Sequence, residues 1–232
     1  MRSIWRTHDT DLLRDVAAIA AAAAVNGASF GAISVAGGLQ WWVPLVMSVL
    51  VFAGGSQFMA VGVVAAGGSP AAAVLAGLVL NARHLPFGLA VGHVLGRGLA
   101  ARLVGSHLMV DESVAFSLAQ RDPARARTAF WACGATLFLG WNLGVVAGSL
   151  VGQGIGDPGA FGLDAAFPAA LLALVLPALK DTATLRAALL GAVVALATTP
   201  LLPAGVPVLL ALVGLVATAG RKKTGRKKEV AA

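Results

Sequence analysis

Of 232 residues, 58% are hydrophobic and only 12% charged, with a mean hydropathy of +0.86, where soluble domains carry roughly a quarter charged residues. This excludes an ordinary soluble enzyme or binding module and predicts an all-α polytopic membrane protein. The net charge of +7 is concentrated in one place, since Arg221, Lys222, Lys223, Arg226, Lys227, Lys228 and Glu229 account for +5 of it; the tail reads as a topogenic, lipid-facing segment and not as a nucleic-acid interface.

Residues 1–15 are polar and electrically balanced, with Arg2, Arg6 and Arg14 against Asp9, Asp11 and Asp15, and predict a surface segment. A single transmembrane domain is expected over 16–220, followed by a basic cytoplasmic tail over 221–232. The alanine run at 17–24 stays apolar through Val35 without a polar mature start, so it reads as a first spanning helix over 16–37 and not as a signal peptide. Further spans are expected at about 42–66, 70–95, 126–152, 165–179, 184–202 and 204–219, judged against the ~20 apolar residues that cross ~30 Å of hydrocarbon. About seven spans result, with six and eight as alternatives. The stretch 165–179 is short and requires a re-entrant path or a thinned bilayer. Trp41 and Trp42 suit an interfacial belt. A cytoplasmic tail places 121–127 and 180–186, rich in Arg and Lys, inside, and 153–164 with Asp157 and Asp164 outside, in agreement with the positive-inside rule. The same scheme leaves 106–120 uncrossed and the N-terminus outside, against which the three N-terminal arginines argue.

Two spans contain elements that break helices. Gly54-Gly55 lies within one, followed by Ser56, a good N-cap, so a half-helix is expected to restart near Gln57 with free amides and a positive dipole end suited to a carboxylate. Pro86 interrupts the next span. It cannot donate to the Ala82 carbonyl, which is therefore expected to stay unpaired beside Asn81, Arg83 and His84. Arg83 is the only formally charged residue between Val16 and Gly96, and an ionisable group at such a depth costs about 2.5 to 3.5 kcal/mol on insertion scales. A third polar element, Asp111-Glu112-Ser113, begins a stretch with apolar flanks. Capping of a helix start explains two adjacent carboxylates, and an acid held near the spans can also take up and release protons.

Taken in order, Ser29-Phe30-Gly31, Gly37-Gly38-Leu39, the run 51–58 (VFAGGSQF), Asn81-Ala82-Arg83-His84 and Asp111-Glu112-Ser113 resemble the AzlC family, the large subunits of bacterial branched-chain amino acid exporters. Trp141 with Gly144 and Gly148, and Gly162-Leu163-Asp164-Ala165-Ala166-Phe167, extend the resemblance more weakly. It implies a multi-pass protein of the bacterial cytoplasmic membrane that works with a small AzlD-type membrane subunit and exports valine, leucine, isoleucine and in some members methionine, driven by the proton or membrane potential. The sequence has no Walker A pattern, in keeping with coupling other than to ATP within this chain. No cofactor or metal is implied.

On this reading Ser29, Gly31, Gly54, Gly55, Ser56, Gln57, Asn81 and Arg83 are candidates for substrate binding, and His84, Asp111 and Glu112 for proton coupling. The substrate carboxylate would meet the restarting helix and Arg83; its ammonium would meet Gln57, Asn81, the Ala82 carbonyl or Asp111. Phe52, Phe58 and Phe87 would line a side-chain pocket that separates branched-chain neighbours poorly. The glycines have a plainer reading as close-packing positions, His93 and His107 as interfacial side chains, Asn142 as an interhelical hydrogen-bonding group and Asp164 as a helix cap. Two other functions compete: an intramembrane serine hydrolase built on Ser56 with His84 or His93, and a passive channel or scaffold subunit.

Overall fold

The structure, a computed structural model, describes residues 3–154, 172, 175, 176, 178–203 and 205–215. Among these, every regular element is helical: α1 (Ser3–Ala36), α2 (Trp42–Val51), α3 (Gly54–Ala65), α4 (Pro70–Asn81), α5 (His84–Val91) with a following 3-10 turn (Gly92–Val94), α6 (Leu99–His107), α7 (Asp111–Leu118), α8 (Pro123–Gly154), a 3-10 turn (Ala178–Lys180), α9 (Thr182–Thr198) and α10 (Val206–Leu210), which runs into a 3-10 turn (Ala211–Leu215). Three stretches are long and apolar enough to cross a membrane, namely Val16–Ala36, Pro70–Val94 and Pro123–Gly154, and Trp42–Val51, Gly54–Ala65, Thr182–Thr198 and Val206–Leu215 are shorter apolar helices. The protein is an all-α polytopic membrane protein, and the stretches expected at 42–66 and 70–95 are broken near the expected positions. The segment 1–15 does not begin a separate element, because α1 starts at Ser3 and runs unbroken into the first span. The stretch 106–120 forms no span: α6 has 9 residues and α7 has 8, and at 1.5 Å per residue neither reaches across the hydrocarbon. Most of the predicted span at 165–179, the acids Asp157 and Asp164, the motif at 162–167 and the basic tail lie outside the described residues.

The chain divides into two compact units, one formed by 1–58 and 79–164 and the other by 59–78 and 165–232. In the first, α1 and α8 pack along most of their apolar length, and the sequence explains how. Helix α8 carries glycine at 140, 144, 148 and 152, every fourth residue, which puts all four on one face. A Cβ at Gly140 would lie 2.7 Å from the Ala20 carbonyl oxygen, and one at Gly152 would lie 2.9 Å from that of Ala32; at Gly144 and Gly148 it would run into the carbonyls of Ala24 and Ala28. Gly27 and Gly31 on α1 return the arrangement, facing the Trp141 and Val145 carbonyls. Backbones that approach this closely gain dispersion and weak polar contacts that side chains would prevent, which is how small residues drive helix association in lipid.

Helix α2 joins α8 through a polar contact: the buried Ser48 hydroxyl donates to Asn142 Oδ1 at 2.7 Å, while Asn142 Nδ2 donates to the Phe138 carbonyl at 2.8 Å. Asn142 thus has the interhelical role expected for it. Asn142→Leu is expected to destabilise the purified protein by about 0.6 kcal/mol and at most about 1.7 kcal/mol, the range for such bonds in membrane proteins, as read from unfolding in denaturing detergent; an unchanged midpoint would show that the bond adds nothing.

A second core in this unit gathers Val91, Val94, Leu95, Met109, Val114, Ala126 and Phe130, with Phe87 and Trp131 against it. It fixes α5 and α7 on the N-terminal half of α8, and with them Arg83 and Asp111 at the ends of those helices.

The other unit repeats the close-packing device on a smaller scale. Val63, Ala73 and Ala76 form its core with Met59, Ala60, Ala72 and Leu209. Gly205, at φ 91°, leaves no room for a side chain, because a Cβ there would come within 2.9 Å of both Ala72 Cβ and Val63 Cγ1. Helix α9 starts at an Asp181 cap, whose carboxylate accepts from the Thr184 amide and hydroxyl at 2.8 Å each; these bonds hold its pKa below the usual aspartate value.

Candidate functional site

The site is built where two apolar stretches stop being helical. Helix α2 ends at Phe52, which takes a left-handed conformation at φ 38° and ψ 53° and is the only non-glycine with positive φ among the described residues. This costs about 1 to 2 kcal/mol, and packing holds it in place: the Phe52 ring is 5% exposed and meets Phe138 edge-on at 5.0 Å and His107 at 6.0 Å. His107 is therefore part of an aromatic cluster with Phe138 at 5.6 Å, not a loose interfacial side chain.

Helix α3 then begins at Gly54, three residues before the expected restart at Gln57. The Gln57 amide already donates to the Ala53 carbonyl at 3.0 Å, which leaves the N–H groups of Gly54, Gly55 and Ser56 ahead of the helical ladder. Ser56 is not the cap. Its hydroxyl is turned to Asn81, donating to Oδ1 at 2.5 Å. The two glycines serve approach more than bending: a Cβ at Gly54 would lie 2.8 Å from the Trp141 ring, and one at Gly55 would lie 3.3 Å from Leu80 and 3.8 Å from Arg83 Nη2. The tight fit at Gly55 is against Leu80, and the Arg83 guanidinium lies at ordinary contact distance from this first turn of α3.

The second break falls at Ala82-Arg83, between α4 and α5, and not at Pro86. Pro86 is the third residue of α5, in the first turn, where a missing N–H removes no ladder bond. The Ala82 carbonyl is accordingly not free, since it accepts from the Leu85 amide at 3.1 Å. His84 Nδ1 sits 3.0 Å from the Asn81 carbonyl, and its ring meets Phe87 edge-on at 5.8 Å.

Arg83 Nη1 pairs with Asp111 Oδ2 at 2.7 Å, the side chains being 29% and 37% exposed. Asp111 is the first residue of α7, a position that favours a carboxylate. The turn before it is held by Ser113, whose hydroxyl accepts from the Val110 amide at 2.9 Å and donates within reach of the Leu108 and Val110 carbonyls. Glu112 next to it is exposed and stays outside this arrangement.

Three side chains of the site keep buried polar atoms without a partner, Arg83 at Nε, Trp141 at Nε1 and Gln57 at both ends of its side-chain amide, so that of the three only Gln57 has an acceptor left unmet. Gln57 is 1% exposed, and neither its Nε2 nor its Oε1 has a hydrogen-bond partner, although an unmet buried polar group costs about 1 to 3 kcal/mol. A donor and an acceptor are thus held in the first turn of α3, next in sequence to the Ser56–Asn81 bond and on the helix that Arg83 covers.

The structure brings together Gly54, Gly55, Ser56, Gln57, Asn81, Arg83, His84 and Asp111. Ser29 and Gly31 are placed elsewhere: the Ser29 hydroxyl bonds back to the Val25 carbonyl of its own helix at 3.1 Å, and Gly31 lies in the α1–α8 contact. The three phenylalanines line no common pocket, because Phe58 meets Phe30 and Trp141 edge-on, Phe52 packs on Phe138 and His107, and Phe87 lies against the α5–α7 core. Sequence reasoning missed Trp141 as a wall of the α3 start. The spacing of Gly140, Gly144 and Gly148 around it was the available sign that this face of α8 packs against backbone.

The Ser56 hydroxyl gives its proton to an amide oxygen, which is no base, and the nearest histidine in sequence, His84, is engaged with a backbone carbonyl. A serine nucleophile would need an imidazole in that place. The site instead offers open amides, a cation, a carboxylate and a neutral amide, a set that suits reversible binding of a small polar group.

A family model described as AzlC protein matches residues 18–155. The chain belongs to the AzlC family. Neither a curated protein nor a solved structure matches it. The AzlC match runs from α1 to the end of α8 and contains every residue of the site. Because AzlC proteins are transport-associated, this AzlC chain is a transport-related membrane protein.

Proposed function

We propose that the chain is the large subunit of a secondary transporter that exports branched-chain amino acids, with valine, leucine and isoleucine as main substrates and methionine as a further candidate, across the bacterial cytoplasmic membrane. It works with a small AzlD-type subunit, draws on the proton motive force, and keeps its basic C-terminal tail in the cytoplasm. The observation that carries this reading is the buried, unpartnered Gln57 amide at an open helix start beside the Arg83–Asp111 pair, since discontinuous helices that expose amides within a membrane are the means by which transporters hold small polar solutes. His84 and Asp111 are the groups suited to proton coupling. The strained Phe52 turn is the place where α2 and α3 can change their angle.

The test is efflux of preloaded L-valine from cells expressing the chain together with the small subunit encoded beside it. Efflux faster than in cells lacking the pair, abolished by a protonophore, is the expected result. Efflux of no branched-chain amino acid with both subunits present would overturn the proposal, and efflux indifferent to the protonophore would replace it by a passive channel.

A further inference from the structure

We infer that Gln57 reads both charges of the substrate head group, its Oε1 accepting from the α-ammonium and its Nε2 donating to the α-carboxylate, so that the site selects free α-amino acids over analogues with either charge removed. The inference rests on the export reading and specifies how its substrate is recognised.

Four groups near the breaks were candidates for the ammonium, and the structure occupies three of them. Asn81 Oδ1 accepts from Ser56, the Ala82 carbonyl accepts from Leu85, and Asp111 is paired with Arg83. Gln57 alone of the four is both buried and unengaged, at both ends of its amide. A zwitterion presents a cation and an anion one carbon apart and has no net charge. A primary amide is its neutral counterpart, offering an acceptor and a donor one carbon apart, and it meets both charges without adding a third charge to a low-dielectric site. The open amides of Gly54, Gly55 and Ser56 are additional donors for the carboxylate. A ligand lacking either charge would leave one end of the Gln57 amide buried and unmet, which is the condition under which polar sites discriminate strongly.

The purified complex of this chain with its small subunit, reconstituted in vesicles, tests this through competition against labelled L-valine by unlabelled L-valine, L-valinamide (no carboxylate) and 3-methylbutanoate (no ammonium). In the wild type, each analogue is expected to need at least about tenfold more than L-valine for equal inhibition. Gln57→Glu is nearly isosteric, keeps the acceptor and replaces the donor with negative charge; it is expected to shift preference toward L-valinamide, so that the amide competes as well as L-valine. Gln57→Leu is expected to weaken L-valine most and the analogues least, narrowing the ratio to less than about threefold. If either variant transports too slowly to be assayed, ligand-induced thermal stabilisation of the purified complex gives the same ratios. Variants that lose affinity for all three ligands in equal proportion would overturn the assignment and leave Gln57 a packing residue, with the export reading intact. A wild-type complex that L-valine neither stabilises nor crosses would overturn both.

Discussion

Gly148→Leu is expected to abolish accumulation of the folded protein, and Gly148→Ala to reduce it severely. The atom that a new Cβ would meet is the Ala28 carbonyl oxygen, with the Ala28 carbonyl carbon 2.6 Å and its Cα 2.7 Å away. Backbone atoms of a regular helix cannot rotate aside as a side chain can, so the helices must separate. Overpacking usually costs about 1 to 3 kcal/mol, but here a shift at one glycine opens the contact at Gly140, Gly144 and Gly152 as well, because all four lie on one face. Gly154→Ala is the control on the same helix, where an added Cβ meets nothing within 4 Å, and it should be neutral. Membrane abundance and monodispersity in mild detergent measure both. Normal levels of Gly148→Leu would mean that α1 and α8 do not pack backbone to backbone.

The second large effect is expected at the Arg83–Asp111 pair. Asp111→Ala strands a guanidinium inside an apolar surrounding, at the scale of about 2.5 to 3.5 kcal/mol for a charge at membrane depth, and should lower both abundance and efflux. Arg83→Ala leaves a carboxylate on the first turn of α7, where the helix dipole favours it, so abundance should suffer less while efflux falls by at least about tenfold, a loss of about 1.4 kcal/mol or more. The reciprocal exchange, Arg83→Asp with Asp111→Arg, restores the attraction and should recover abundance without efflux, because the guanidinium would then project from α7 instead of lying against the first turn of α3. Full efflux from Arg83→Ala at matched expression would remove the pair from transport and leave it a structural tie between α5 and α7.

Composition and the lengths of apolar runs made the fold class legible, since few alternatives exist for long uncharged stretches in lipid. The breaks were legible to within a few residues, but the residue that bends was not. Glycine is the expected place for a turn, yet the left-handed conformation falls on Phe52, whose ring is pinned by Phe138 and His107, residues far along the chain. Gly54 and Gly55 are needed for another purpose, the approach of Trp141 and Leu80. Pro86 is a similar case: proline marks a helix start as readily as a break, and only the observed Leu85–Ala82 bond decides which. Polar residues near the breaks could be identified as a set, but how they pair depends on distances between helices. Hence the sequence presents Asn81 and Gln57 alike as candidate ligand groups, and only the structure shows that the Asn81 oxygen accepts from Ser56 while both ends of the Gln57 amide stay unmet.

The glycine face of α8 also sets an order of events during synthesis. Helix α1 emerges from the ribosome first, but the surface that fits its alanine carbonyls is among the last of this unit to be made. Throughout translation of the residues between them, including Arg83 and later its counter-charge Asp111, α1 must wait in the bilayer or the insertion machinery with its backbone groove uncovered. A nascent chain truncated before residue 140 therefore lacks the whole clasp, and quality-control proteases would meet an open first helix in every molecule whose synthesis stops there.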